Sequence, residues 1–172
     1  MKQYLKKICL YIITVYMVKN KKKPKLLTKP SQLITTTNIE DNDTNFKISF
    51  TELDLKNKKF SISEIKDNRI KSQHYDDFLN KINEYSKITE FKKYINSNHW
   101  YRNTNHIHPI DWNDNRIRES CFTSLNKNKM EQIKDECWQL GINQTFRIHG
   151  YFIENTFYII WLDPNHNLYE RK

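Results

Sequence analysis

Side chains able to move protons, hold metal or bind phosphate gather in two stretches of the chain. In the first, Asn105-His106-Ile107-His108-Pro109-Ile110-Asp111-Trp112, the H-x-H spacing puts two imidazoles on one side of an extended segment, with Asp111 a turn away. In the second, Gln144–Tyr169, the residues Arg147, His149 and Tyr151 share one face of a strand, and Asp163, His166 and Tyr169 follow in and after a turn. Two chemistries suit these sets. His106, His108, Asp111, Asp163 and His166 offer imidazole and carboxylate ligands for a divalent metal, if the fold joins the two stretches. Without a metal, RNA cleavage needs a base for the 2′-hydroxyl, an acid for the leaving oxygen and a cation for the phosphorane. His166 or His108 with Tyr169 supplies the first two, since imidazole titrates near working pH, and Arg147 supplies the third. We take Arg147, His166, Tyr169 and His108 as the candidate catalytic set, with no metal and no cofactor. The plainer alternative makes Arg147 and His149 an exposed polar sheet face, Asp163 a turn cap, and the His106–Asp111 stretch a set of loop caps.

Binding residues are read from aromatics set among cations. Trp100, Tyr101 and Trp112 lie near Arg102, Arg116 and Arg118, a mixture that stacks bases and holds phosphates, or else anchors a long loop. With His149 and Tyr151 on the strand, Arg102, Arg116 and Arg118 are the candidate nucleic-acid contacts.

Composition narrows the classes. Only two Gly occur, so the chain has no G-x-G-x-x-G, no phosphate-binding G-x-x-x-x-G-K and no G-x-S-x-G. The net charge of +9 invites a nucleic-acid reading, but nine Lys lie in residues 1–30 with no acid among them. Beyond residue 30 the 20 remaining basic side chains meet all 20 acidic ones, so that part is formally neutral. Cys9, Cys121 and Cys137 follow no C-x-x-C spacing and read as reduced thiols of a cytoplasmic protein.

These residues need elements to position them. Residues 1–43 read as a basic non-globular segment and linker. Ile8–Val18 is too short to span a bilayer, KNKKKPK opposes export, and Met17 is an alternative start. A single domain over 44–172 then follows. Phe46, Ile48 and Phe50 alternate, as do Phe60 and Ile62, predicting a first hairpin. Ser72 as N-cap and the stripe Tyr75, Phe78, Leu79, Ile82 and Tyr85 predict a helix, and Thr89-Glu90 caps a short second one. Residues 98–121 read as a long polar loop. A third helix starts at Ser124 or Asn126, with Met130, Ile133, Cys137 and Leu140 buried and Gly141 just past its end.

Gln144–Ile153 and Thr156–Leu162 form the closing hairpin, turning at Glu154-Asn155 with Asn155 accepting positive φ. Its register pairs Phe152 with Phe157, Gly150 with Ile159, and Ile148 with Trp161. One face then carries Phe146, Ile148, Phe152, Phe157, Ile159 and Trp161 as core. The expected fold is α+β, a small antiparallel sheet from two hairpins in the order ββ-α-α-loop-α-ββ, with helices packed on one face.

The ending RIHGYFIENTFYIIWLDPNHNLY is similar to the C-termini of small, mostly uncharacterised bacterial proteins of mobile-element and defence genes. A terminal hairpin after helices, carrying Arg, His and Tyr, also resembles RelE-type ribonuclease toxins. The resemblance covers about the last 26 residues, and the neutral body and the long loop around His108 depart from that pattern. It implies a toxin- or defence-type endoribonuclease acting on RNA, with an antitoxin-like protein partner. The alternative class is a non-catalytic interaction module, an inhibitor or accessory protein that binds a larger nucleoprotein.

Overall fold

The computed structural model describes residues 45–170, so the basic segment 1–43 lies outside the described residues. The elements are β1 (Lys47–Ser49), α1 (Asn68–Tyr85), α2 (Phe91–Ser97), α3 (His99–Thr104), β2 (His108–Pro109), α4 (Lys127–Ile133), β3 (Cys137–Gly141), β4 (Arg147–Ile153) and β5 (Thr156–Asp163). Short 3-10 turns lie at Ile62–Glu64 and Lys134–Glu136. The five strands make one sheet in the order β1-β5-β4-β3-β2. The domain is α+β, as its pattern of elements predicts.

Local capping sets the helix starts. Asp67, not Ser72, caps α1: its carboxylate accepts from the N–H of Arg69 at 2.8 Å and of Ile70 at 3.4 Å. The predicted stripe then buries Phe78 and Tyr85, while Leu79 stays exposed. Asn126 caps α4 by accepting from the Lys129 N–H. The third helix is much shorter than its spacing predicts, because Cys137–Gly141 joins the sheet. Its five residues are all buried, since both faces of β3 are covered. A strand buried on both sides loses the alternation that would announce it, and positions 137 and 140 then mimic a helical stripe.

The first hairpin does not form. β1 is three residues long and runs parallel to β5, with Ile48 beside Phe157. Between β1 and α1, Asp54 and Asn57 accept hydrogen bonds from backbone N–H groups two and three residues ahead. Such Asx turns give the backbone partners that a strand ladder would otherwise supply. Phe60 and Ile62 alternate for another reason: they belong to two different cores.

Those cores lie on opposite faces of the sheet. On one, Phe78, Tyr85, Phe91 and Ile95 of α1 and α2 cover Leu140, Ile148, Phe152, Phe157 and Ile159. On the other, Phe60, Ile110, Phe122 and Met130 and Ile133 of α4 cover Tyr151, Ile160 and Trp161. Helices therefore pack on both faces, not one. Trp161 is central to the second core, with its ring stacked on Phe60 at 4.3 Å and edge-on to Phe122 at 4.8 Å.

A bulge put Trp161 there. The closing hairpin pairs Phe152 with Phe157 and Gly150 with Ile159 as expected, but between His149 and Gly150 the register slips by one residue. His149 then faces Trp161 and Ile148 faces Leu162. One extra residue in β5 reverses the parity of everything beyond it, so Trp161 and Asp163 turn to the second face. At the hairpin tip, Glu154 takes the positive φ (51°) in place of Asn155.

Gly150 makes the bulge possible, since a Cβ there would lie 2.1 Å from the Tyr158 carbonyl oxygen. Backbone cannot yield as a side chain would. Gly150→Ala is expected to destabilise the domain by about 2–3 kcal/mol in urea unfolding. A loss below about 0.5 kcal/mol would contradict this register.

Candidate functional site

The sheet register assembles a row of polar side chains that the sequence scatters over 42 positions. His108 of β2 lies beside Gln139 of β3, and Gln139 beside His149 of β4. Gln139 and His149 are buried, and His108 is half-buried. One step along the strands, Arg147 lies opposite Asp163, both buried.

Hydrogen bonds fix each group. His108 Nδ1 donates to its neighbour's carbonyl, Pro109 O, at 2.9 Å, which leaves Nε2 to accept from the Gln139 amide at 3.0 Å. The other amide hydrogen of Gln139 goes to His106 O at 3.2 Å. Burial lowers the His108 pKa, and the nearby His149, Arg147 and Arg116 push it further down against the Pro109 carbonyl, so the imidazole is held neutral. His149 Nε2 donates to Asp163 Oδ2 at 3.2 Å. Asp163 also accepts from the backbone N–H of Asn167 at 2.8 Å and of Leu168 at 2.9 Å. Burial raises the Asp163 pKa, but His149 and the two N–H donors outweigh it and hold the carboxyl below its usual value.

Arg147 is a clamp. Its guanidinium donates to the carbonyls of Asn143, Gln144 and Phe146, which ties down the loop between β3 and β4. On the far side of that loop, Asn143 donates to Asp77 Oδ2 of α1 at 2.6 Å.

After β5 the chain turns at Asp163-Pro164-Asn165-His166 and runs back over the second face. Leu168 is buried in the second core, and Tyr169 pairs with Ile117 as an isolated bridge. The Tyr169 ring is the meeting point of the candidate residues: His108 lies 5.5 Å from it, His166 6.0 Å, and the Arg116 guanidinium 5.6 Å above it. Burial, with Asp114 nearby, pushes the Tyr169 hydroxyl up to about 12, so it is a neutral donor at working pH. Beside this ring opens a cleft lined by Lys59, Arg118, Asn165, His166, Asn167, Tyr169 and Glu170. His166 holds a positive φ of 54° at its edge.

The two stretches singled out in the sequence therefore do meet, through Tyr169. Of the candidate catalytic set, His108, His166 and Tyr169 come together. Arg147 does not join them as a free cation: it is 3% exposed, with its guanidinium on three carbonyls. His149 and Tyr151 are both 0% exposed, so neither presents a surface to nucleic acid. The exposed polar strand face expected there is instead the inner wall of the second core. Arg102 lies on α3, where its guanidinium meets His99 Nδ1 at 3.2 Å. Arg116 pairs with Asp114, and Arg118 with Glu170. The metal alternative lacks its geometry, since among the described residues no three His, Cys, Asp or Glu side chains converge as ligands. Gln139 escaped sequence reasoning because it sat inside an apparent helix. The run Cys-Trp-Gln-Leu-Gly, read as a strand, would have placed it beside His149.

What the fold and site define is a small α+β domain with a mixed five-stranded sheet and a buried polar row on one face. A family model described as Uncharacterised protein UU032 matches residues 45–172, and the chain belongs to that family. No curated protein and no solved structure matches the chain. Among the described residues no helix is long and apolar enough to cross a membrane.

Histidines whose charged form the fold disfavours make stability pH-dependent with a definite sign. His74, His106 and His108 are all lowered, each first by burial. Between their folded values and the unfolded value of about 6.5, the unfolded chain binds more protons, so stability is full above that pH and falls below it. Asp163, lowered in the fold, adds stability that is present above about pH 3.9 and is lost as pH drops through its folded value. Urea unfolding at stepped pH is expected to show a decline between pH 7 and 5 that His108→Gln makes shallower. Stability that stays flat over that range would contradict the assignment.

Proposed function

We propose that this domain is a non-catalytic interaction module that engages a protein partner through the cleft beside Tyr169. One observation supports this above the rest: the cations of the cleft are matched by carboxylates. Lys59 pairs with Glu119, Arg118 with Glu170, and Arg116, over the Tyr169 ring, with Asp114. Gripping a phosphate backbone calls for several cations free to displace counterions. A surface of alternating sign around an aromatic ring suits a protein instead, where complementary charges fix the register and an aromatic anchors it. The enclosure of Arg147 and the Gln139 bond to His108 Nε2 support the same reading, because each removes a group that phosphate chemistry needs.

The second reading is the endoribonuclease, favoured by the meeting of His108, His166 and Arg116 at Tyr169 and by the likeness of the C-terminal stretch to RelE-type toxins. In it, His166 is the base or acid, Tyr169 the partner donor, and an antitoxin-like protein covers the site.

One pair of experiments separates them. Purified full-length protein is incubated with RNA, with and without EDTA; the interaction reading expects no cleavage in either tube. A photo-crosslinking residue placed at Asn165 in the cells that make the protein is expected to capture a defined protein, while the same residue at Ile70 on α1 is not. RNA cleavage that His166→Ala abolishes would overturn the proposal in favour of the nuclease.

A further inference from the structure

The three ion pairs around Tyr169 cancel in number but not in exposure. In each, the carboxylate is the more buried member. Asp114 has 18% of its side chain exposed against 52% for Arg116, Glu119 17% against 39% for Lys59, and Glu170 48% against 76% for Arg118. Elsewhere the order varies: in Lys81–Glu84 and Lys92–Glu136 the carboxylate is the more exposed partner. What this cleft shows to a visitor is therefore its cations, with the acids set behind them.

Those cations keep donors to spare. Asp114 is occupied by one residue: it accepts from the Arg116 backbone N–H at 2.9 Å and from Nε and Nη2 of the same guanidinium, which leaves Nη1 over. Arg118 bonds Glu170 through Nε alone, so neither of its terminal nitrogens has a partner among the described residues. The terminal edge of a guanidinium is the side that grips a carboxylate with two parallel N–H···O bonds. Both groups are held beside one ring. Arg116 lies 5.6 Å above Tyr169, Arg118 reaches the next residue, and Ile117 between them bridges to Tyr169. The wall opposite is tied as well, because the Asn167 side-chain amide donates to Lys59 O at 3.3 Å.

We propose that the cleft beside Tyr169 takes an acidic protein segment, with two of its carboxylates on Arg116 and Arg118 and its chain across the Tyr169 ring. This rests on the interaction reading and names the chemistry of the partner. An acidic segment meets the outward cations first, whereas a basic one would meet like charge at the same points. RNA is served less well, because the acids behind the cations leave few counterions to release, and that release supplies most of its affinity.

A residue-resolved titration tests this, with the amide resonances of the full-length protein followed by NMR. Three probes are added: a short peptide alternating Glu and Ser, its counterpart with Gln for Glu, and an oligouridylate of equal charge. The amides of the Lys-rich residues 1–30 report separately any binding there. The Glu peptide is expected to shift the amides of Ile117–Glu119 and Asn167–Glu170, and the Gln peptide to leave them in place. Arg118→Glu is expected to weaken that binding at least about tenfold, with the Ile148 and Tyr151 amides unmoved as proof of folding. Lys87→Glu makes the same change of charge just past α1, which covers the opposite face, and is expected to stay within about twofold of the wild type. No shift in the cleft with the Glu peptide, or equal weakening by the two variants, would overturn the proposal. Equal binding of the Gln peptide would overturn it too, yet leave the interaction reading standing. A cleft that prefers the oligouridylate would overturn both.

Discussion

The second face of this domain depends on one hydrogen-bonded pair, His149 and Asp163, enclosed between two strands and a returning chain. A carboxylate taken wholly out of water is costly unless several donors meet it. Asp163 meets three, from His149, Asn167 and Leu168, with the Arg147 charge directly across the strand pair. Those donors come from separate parts of the chain, so satisfying the carboxylate forces them together. β4 must present His149 inward, β5 must carry the bulge that turns Asp163 to the same face, and the chain must double back at Pro164. The position of Tyr169, and of the cleft beside it, follows from that return.

The bulge connects this chemistry to the core. Without the slipped register, Asp163 would face α1 and Trp161 would leave Phe60 and Phe122. One residue of slip at Gly150 therefore sets both the polar pair and the second apolar cluster. A glycine in a strand is ordinarily a weakness; here the Tyr158 carbonyl occupies the space that a side chain would need.

Much of this was legible in the residues, and the failures have physical causes. The α+β class, the closing hairpin with its Phe152–Phe157 and Gly150–Ile159 pairs, and the short helix at Phe91 all follow from periodicity and turn chemistry. Arg147, His149 and Tyr151 were rightly placed on one face, but their polarity suggested water there. Burial of the arginine rests on carbonyls of the adjoining Asn143–Phe146 loop, and burial of the histidine on a carboxylate 14 residues on, and strand alternation announces neither pairing. Trp161 was put on the wrong face because strict alternation has no means of signalling a bulge. Cys137–Gly141 was read as helix because a strand covered on both sides hides its period. Near Phe60 and Ile62, the alternation was real but served two cores instead of one strand. For the site, the meeting of His108, His166 and Tyr169 was anticipated in outline, whereas the pairing of Arg116 and Arg118 with acids emerged only in three dimensions.

The central claim is that His149 and Asp163 act as one unit that holds the second face together. A double-mutant cycle measures this directly, with His149→Gln, Asp163→Asn and the double variant compared by urea unfolding at pH 7. The account predicts a coupling energy of about 1–3 kcal/mol, with the second substitution costing far less once the first is made. Losses that add to within about 0.5 kcal/mol would show two independent residues, and the account would be wrong.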